Sequence, residues 1–209
     1  MIIEVCAESY EYAVKAEKAG ADRIELCKDL HLDGLTPNYE SAKKTIKQLN
    51  IPVFILIRPR GGNFIYSNEE FELMKSDIVL FKEMGCKGIV SGVLNNDESI
   101  DIERTQELVE LSKPLEFTFH RAFDIVKDPI EETENLIKLG IDRVLTSGQK
   151  EKAIEGLVLL EKLNNISNNR IIIMPGSGIS KNNFKNFELF NEIHGSFKDE
   201  IDSNGFKLC

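Results

Sequence analysis

Eight short apolar segments alternate with helical ones, about 20 to 35 residues apart, and predict an α/β protein of the (β/α)8 barrel type. Three links repeat one pattern: Ala16-Glu-Lys-Ala-Gly20 before Asp22-Arg-Ile-Glu-Leu26, Phe81-Lys-Glu-Met-Gly85 before Gly88-Ile-Val-Ser91, and Leu136-Ile-Lys-Leu-Gly140 before Asp142-Arg-Val-Leu-Thr146. Each reads as a helix closed by glycine and followed at once by a strand, as in βαβ units. No G-x-G-x-x-G follows the first strand, so an open dinucleotide-binding sheet lacks its main signature.

Taken in order, strands are predicted at Ile2 to Cys6, Arg23 to Cys27, Pro52 to Ile57, Lys87 to Ser91, Leu115 to His120, Arg143 to Thr146, Arg170 to Met174 and Glu192 to His194. The third is the clearest, because Ile51 to Ile57 is almost continuously apolar, as suits a parallel strand covered on both faces. Pro59 and Gly61-Gly62 then end regular pairing and open a loop that carries Arg58 and Arg60. Helices fall between the strands at Tyr10 to Ala19, Tyr39 to Leu49, Glu69 to Met84, Ile102 to Leu111, Ile130 to Leu139, Lys150 to Leu163 and Lys181 to Glu188, with Asn68 and Ser180 as expected N-caps.

The 209 residues suffice for one core, so a single domain over 1–209 is expected, with a barrel core at about 2–196 and a short tail at 197–209. That tail shows at most one turn of helical pattern, and barrels of this type usually run to about 250 residues, so the eighth helix is expected to be missing or truncated.

A net charge of −9 and a sequence pI near 5.0 argue against nucleic acid as a partner, since phosphate-backbone binders present basic patches. No apolar run approaches the roughly 20 residues that cross a bilayer, and the amino terminus lacks a signal-like segment; a cytoplasmic protein without membrane association is expected. Cys6, Cys27, Cys86 and Cys209 are too scattered for a disulfide scaffold, and no C-x-x-C occurs, so they read as reduced thiols without a zinc ribbon. Cys86 and Cys209 read as packing and surface residues, and His31 as a surface histidine.

Residues two apart on a strand share a face, which groups Glu4 with Cys6, Glu25 with Cys27, and Glu116 with Thr118 and His120 inside the barrel. Carboxylates there need partners, and Arg23, Arg58, Arg60 and His120 are the expected supply. Two readings follow. One is a structural ion network; the other is an acid/base site in which Glu25 or His120 moves a proton while Arg58 and Arg60 hold an anion, as in a metal-free lyase, isomerase or hydrolase of a small phosphorylated or carboxylated metabolite. Cys6 and Cys27 at adjacent strand ends suit a soft ion such as Cu(I). Ser147-Gly148, Pro175-Gly176-Ser-Gly178 and His194-Gly195 stand where barrel enzymes build anion sites from backbone amides, and the helix expected from Lys181 would add its dipole.

The motifs Glu4-Val-Cys6, Gly20-Ala-Asp-Arg-Ile-Glu-Leu-Cys27, Gly34-Leu-Thr-Pro37, Ile57-Arg-Pro-Arg-Gly-Gly62, Thr118-Phe-His-Arg-Ala-Phe-Asp124 and Arg143-Val-Leu-Thr-Ser-Gly-Gln149 lie between about Ile2 and Ser196. With them the chain resembles the CutC family, named for copper homeostasis. The resemblance implies a cytoplasmic (β/α)8 barrel and, as in some members, Cu(I) held by the cysteines at positions 6 and 27. Members usually continue into a last helix after the eighth strand. Without it, either Phe197, Ile201, Phe206 and Leu208 fold back over the gap or a second copy covers it, and a homodimer is expected.

Overall fold

The computed structural model describes residues 1–202, so Phe206, Leu208 and Cys209 lie outside the described residues. Eight parallel strands form one sheet: β1 (Ile2–Ala7), β2 (Arg23–Leu26), β3 (Val53–Leu56), β4 (Gly88–Ser91), β5 (Glu116–Phe119), β6 (Arg143–Thr146), β7 (Ile172–Pro175) and β8 (Glu192–Gly195). Their order is β7-β6-β5-β4-β3-β2-β1-β8, and the two ends meet through a bridge between Gly176 and His194, giving a nearly closed barrel. The intervening helices are α1 (Tyr10–Ala19), α2 (Tyr39–Gln48), α3 (Asn68–Met84), α4 (Ile102–Ser112), α5 (Pro129–Lys138) and α6 (Leu157–Ser167), followed after β8 by α7 (Lys198–Asp202).

Outward strand residues such as Val5, Ile24, Ile55 and Val144 are fully buried in one core with the inner faces of the helices, for example Ala16, Phe81, Leu136 and Leu160. Burying each large side chain contributes about 1.5 to 3 kcal/mol, which is why these strands read as apolar on alternate residues. The glycine stops are real: Gly20 (φ 101°) and Gly85 (φ 93°) are left-handed caps whose N–H groups return to carbonyls of the last turn.

Three expectations about helix ends are corrected. The cap of α3 is Ser67, not Asn68: its Oγ accepts from Glu70 N at 3.2 Å while its own N donates to Glu70 Oε2 at 2.9 Å, a full capping box. The helix expected from Lys150 begins only at Leu157, after a 3-10 turn at Ala153–Gly156. Tertiary contact bends this turn: Ala153 N donates to Ser177 O, and Gly156 packs so closely that a Cβ would lie 2.0 Å from Ser147 O. Lys181 to Glu188 is no α-helix; a 3-10 turn covers Phe184–Phe187. Asn183 competes with helix formation there, its side chain accepting from Ser180 N and donating to Gly178 O.

The tail folds back as far as it is described. Phe197 and Ile201 are buried, α7 packs against α1, and Tyr12 donates its hydroxyl to Ser196 O at 2.7 Å. These two side chains therefore need no second copy to cover them. Among the described residues no helix is long and apolar enough to cross a membrane.

Candidate metal centre at the barrel mouth

The barrel interior is built on a chain of ion pairs. Arg23 Nε donates to Glu4 Oε2 at 2.5 Å and its Nη2 to Glu192; Arg143 Nε reaches Glu192 Oε2 at 3.1 Å and its Nη2 reaches Glu116; His194 Nδ1 lies 2.7 Å from Glu4 Oε1. Both guanidiniums stack over Phe54, at 4.7 and 5.1 Å from its centroid. Burial opposes the charge of Glu4, but Arg23 and the His194 hydrogen bond outweigh it and take its pKa down to about 2. The interior ion network thus exists with a different supply of cations. Arg23 belongs to it as expected, Arg143 and His194 complete it, and Arg58, Arg60 and His120 do not enter it.

Toward the carboxyl ends of β1 and β2, the sulfurs of Cys6 and Cys27 approach to 3.4 Å. Cys6 Sγ is 3.9 Å from Glu25 Oε1, and His194 Nδ1 is 3.7 Å from Glu25 Oε2. Donor atoms of Cys6, Glu25 and His194 all fall within 4.8 Å of one another. Leu56, Val90 and Leu30 wall the cysteines with apolar surface. Glu25 Oε2 is buried without a hydrogen-bond partner, and burial lifts the pKa of this carboxyl to about 7. The hydrogen bond from Cys27, burial and the field of Glu25 push the Cys6 thiol well above its ordinary value. Burial favours the neutral ring of His194, yet Glu25 and Glu4 outweigh it and raise its pKa.

Two sulfurs with an imidazole and an under-bonded carboxylate oxygen are a donor set that suits a soft or borderline ion. The donors fit Cu(I): a thiophilic ion would displace the proton of each sulfur it binds, and the imidazole proton where it also takes up His194. His194 is the residue that sequence reasoning missed, having read only the glycine after it. The signal was present, because Glu192 and His194 alternate on one face of β8 and that strand pairs in register with Glu4.

The other expected site residues are dispersed or committed. Arg58 donates to the carbonyls of Leu32, Gly34 and Gly62, and Arg60 is tied to Glu70 at 2.6 Å and to three backbone carbonyls of its own loop. His120 follows β5 directly, and β3 and β4 separate that strand from Glu25 on β2. Glu25 and His120, the two alternative proton carriers, therefore stand on strands that are not neighbours, and Arg58 and Arg60 are held by loop carbonyls. After β6, Asp124 takes up the amides of Ser147 and Gln149, while Thr146 Oγ1 accepts from Gly148 N. Gly176 N donates to Thr146 O, Gly195 is paired with Val5 in the sheet, and Gly178 packs on the Lys152 stem. With no α-helix from Lys181 the expected cradle lacks its dipole, and the amides of Ser147, Gly148 and Gly176 are already bonded within the protein.

Fold and site together define a (β/α)8 barrel with a sulfur-rich donor cluster at its mouth. The chain belongs to the CutC family, whose sequence model matches residues 1–199. It is 48% identical over 184 residues to the human copper homeostasis protein cutC homolog, covering 88% of this chain and 67% of that protein. A CutC family protein of Pasteurella multocida is 42% identical over 208 residues, covering 100% of this chain and 84% of that one. A crystal structure from Streptococcus agalactiae that carries the CutC name superposes with a TM-score of 0.89 at 32% identity, covering 94% of this chain and 98% of that chain.

Proposed function

We propose that this protein serves copper homeostasis by binding Cu(I) through the thiolates of Cys6 and Cys27, in a reducing, cytoplasmic compartment. The observation that carries this reading is the 3.4 Å approach of the two sulfurs beside His194 and Glu25. The names of the relatives point the same way, and the cysteines at positions 6, 27 and 86 are free thiols, which supports a reducing location. A metal-free acid/base enzyme is the weaker reading, because β3 and β4 stand between Glu25 and the strand before His120, and Arg58 and Arg60 already donate to backbone carbonyls.

Titration of the reduced protein with Cu(I) against a competing chelator tests the proposal. Replacing both ligands (Cys6→Ser with Cys27→Ser) is expected to weaken binding by about 100-fold or more, beyond what outer contacts usually contribute. Cys86→Ser, in the apolar core, is expected to leave it unchanged. Affinity rises with pH, since each bound thiolate releases a proton. Unchanged affinity in the double variant overturns the reading.

A further inference from the structure

Arg58 is a buried cation without a carboxylate partner among the described residues. Its side chain is 3% exposed; Nη1 donates to Leu32 O at 2.7 Å and Gly34 O at 2.9 Å, and Nη2 to Gly62 O at 3.0 Å. Among the described residues no carboxylate pairs with it, whereas buried Arg23 and Arg143 each bind two. A buried cation without a counter-ion is costly. Its Nε–H also has no acceptor.

Two neighbours share that condition. Tyr66 and His120 are 4% and 5% exposed, and neither the Tyr66 hydroxyl proton nor His120 Nε2 has an acceptor, although the Tyr66 oxygen stands within reach of the Arg58 guanidinium. The Phe64 ring lies under the Arg58 guanidinium (4.9 Å) and meets His120 at a tilt (4.8 Å), and the charge of Arg58 acts on both His120 and Tyr66. His120 Nδ1 accepts from Ala122 N at 3.3 Å, which puts the ring proton on Nε2. Burial and Arg58 hold the ring's pKa down to about 3, and burial takes the Tyr66 phenol up to about 12, so at neutral pH the ring is uncharged and the phenol protonated. All three unsatisfied atoms therefore carry a proton to donate, around a single positive charge.

We propose that Arg58, Tyr66 and His120 form a second ligand site, distinct from the cysteine cluster, that takes a small monocarboxylate. One charge matches one carboxylate, whose two oxygens accept several hydrogen bonds. A phosphate fits less well: both Nη atoms of Arg58 are already bonded to backbone, and the amides of Ser147 and Gly148 are used elsewhere.

The test uses the full-length, reduced, metal-free chain, with acetate and pyruvate as probes in a chloride-free buffer and inorganic phosphate as a comparison. Either carboxylate is expected to bind saturably in the millimolar range and to raise the melting temperature by mass action. Tyr66→Phe removes only the hydroxyl. It is expected to weaken carboxylate binding about fivefold, the worth of one hydrogen bond, while the unliganded melting temperature stays equal or rises. No saturable carboxylate binding, phosphate binding at least as tight as carboxylate, or a Tyr66→Phe variant that binds as tightly as its parent would overturn the proposal. Because no cysteine and no metal enter the measurement, its outcome is independent of the copper reading.

Discussion

Phe54 and Gly88 share one volume at the centre of the barrel, and the ring fits because glycine faces it. A Cβ at position 88 would lie 2.5 Å from the Phe54 ring. Gly88→Ala is accordingly expected to cost about 1 to 3 kcal/mol in urea unfolding, and adding Phe54→Leu should recover part of it. Arg23 governs the charges beside that ring. Arg23→Met leaves Glu4 and Glu192 facing each other, and breaking a buried pair in this way costs about 3 to 5 kcal/mol. The pH dependence has a definite sign. Glu4 falls from an ordinary value of 4.5 to about 2 in the folded state, so its stabilising contribution is present above 4.5 and is lost as the pH drops toward 2. In Arg23→Met the stability of the protein should change less steeply across that acid window. The alternation of Glu4 with Cys6 and Glu25 with Cys27 made the polar interior legible in the sequence. Their partners were not legible, because Glu192 reaches Arg23 and Arg143, and His194 reaches Glu4, only after β8 closes beside β1. Arg58 and Arg60 misled for a local reason, since the chain turns at Pro59 and carries both into the covering loop.

At the scale of elements, α3 is held at its start by Ser67 and Glu70, and the same Glu70 grips Arg60. One carboxylate thus joins a helix cap to the loop after β3. Ser67→Ala is expected to lower stability by about 1 kcal/mol, the usual cost of a lost cap. Glu70→Gln should do something further that the cap substitution does not: hydrogen exchange of amides at 59–66 should quicken, because Arg60 loses its ion pair. Exchange unchanged in that loop would show that the backbone carbonyls alone hold Arg60. Strands and the longer helices were legible from apolar periodicity and glycine stops. The start of α6 and the stretch after Ser180 were not, since contacts with Ser147, Ser177 and Gly178, distant in sequence or made by side chains, decide the backbone there.

At the scale of the molecule, the short α7 stands where a full eighth helix was sought. Ending the chain after Ser196 removes Phe197 and Ile201 from the core and should lower the melting temperature by several degrees. Light scattering of the full chain at micromolar concentration tests the expected homodimer separately. The bridge between Gly176 and His194 has a mechanical consequence. A hoop riveted at one point springs there first, and here the rivet is the residue whose imidazole lies beside Cys6 and Glu25. An ion that gripped His194 and Cys6 together would act as a hasp across the seam. Amide exchange in Glu192–Gly195 would then slow when Cu(I) is added, and loosening the hoop by mutation at Gly176 would loosen the grip on the metal.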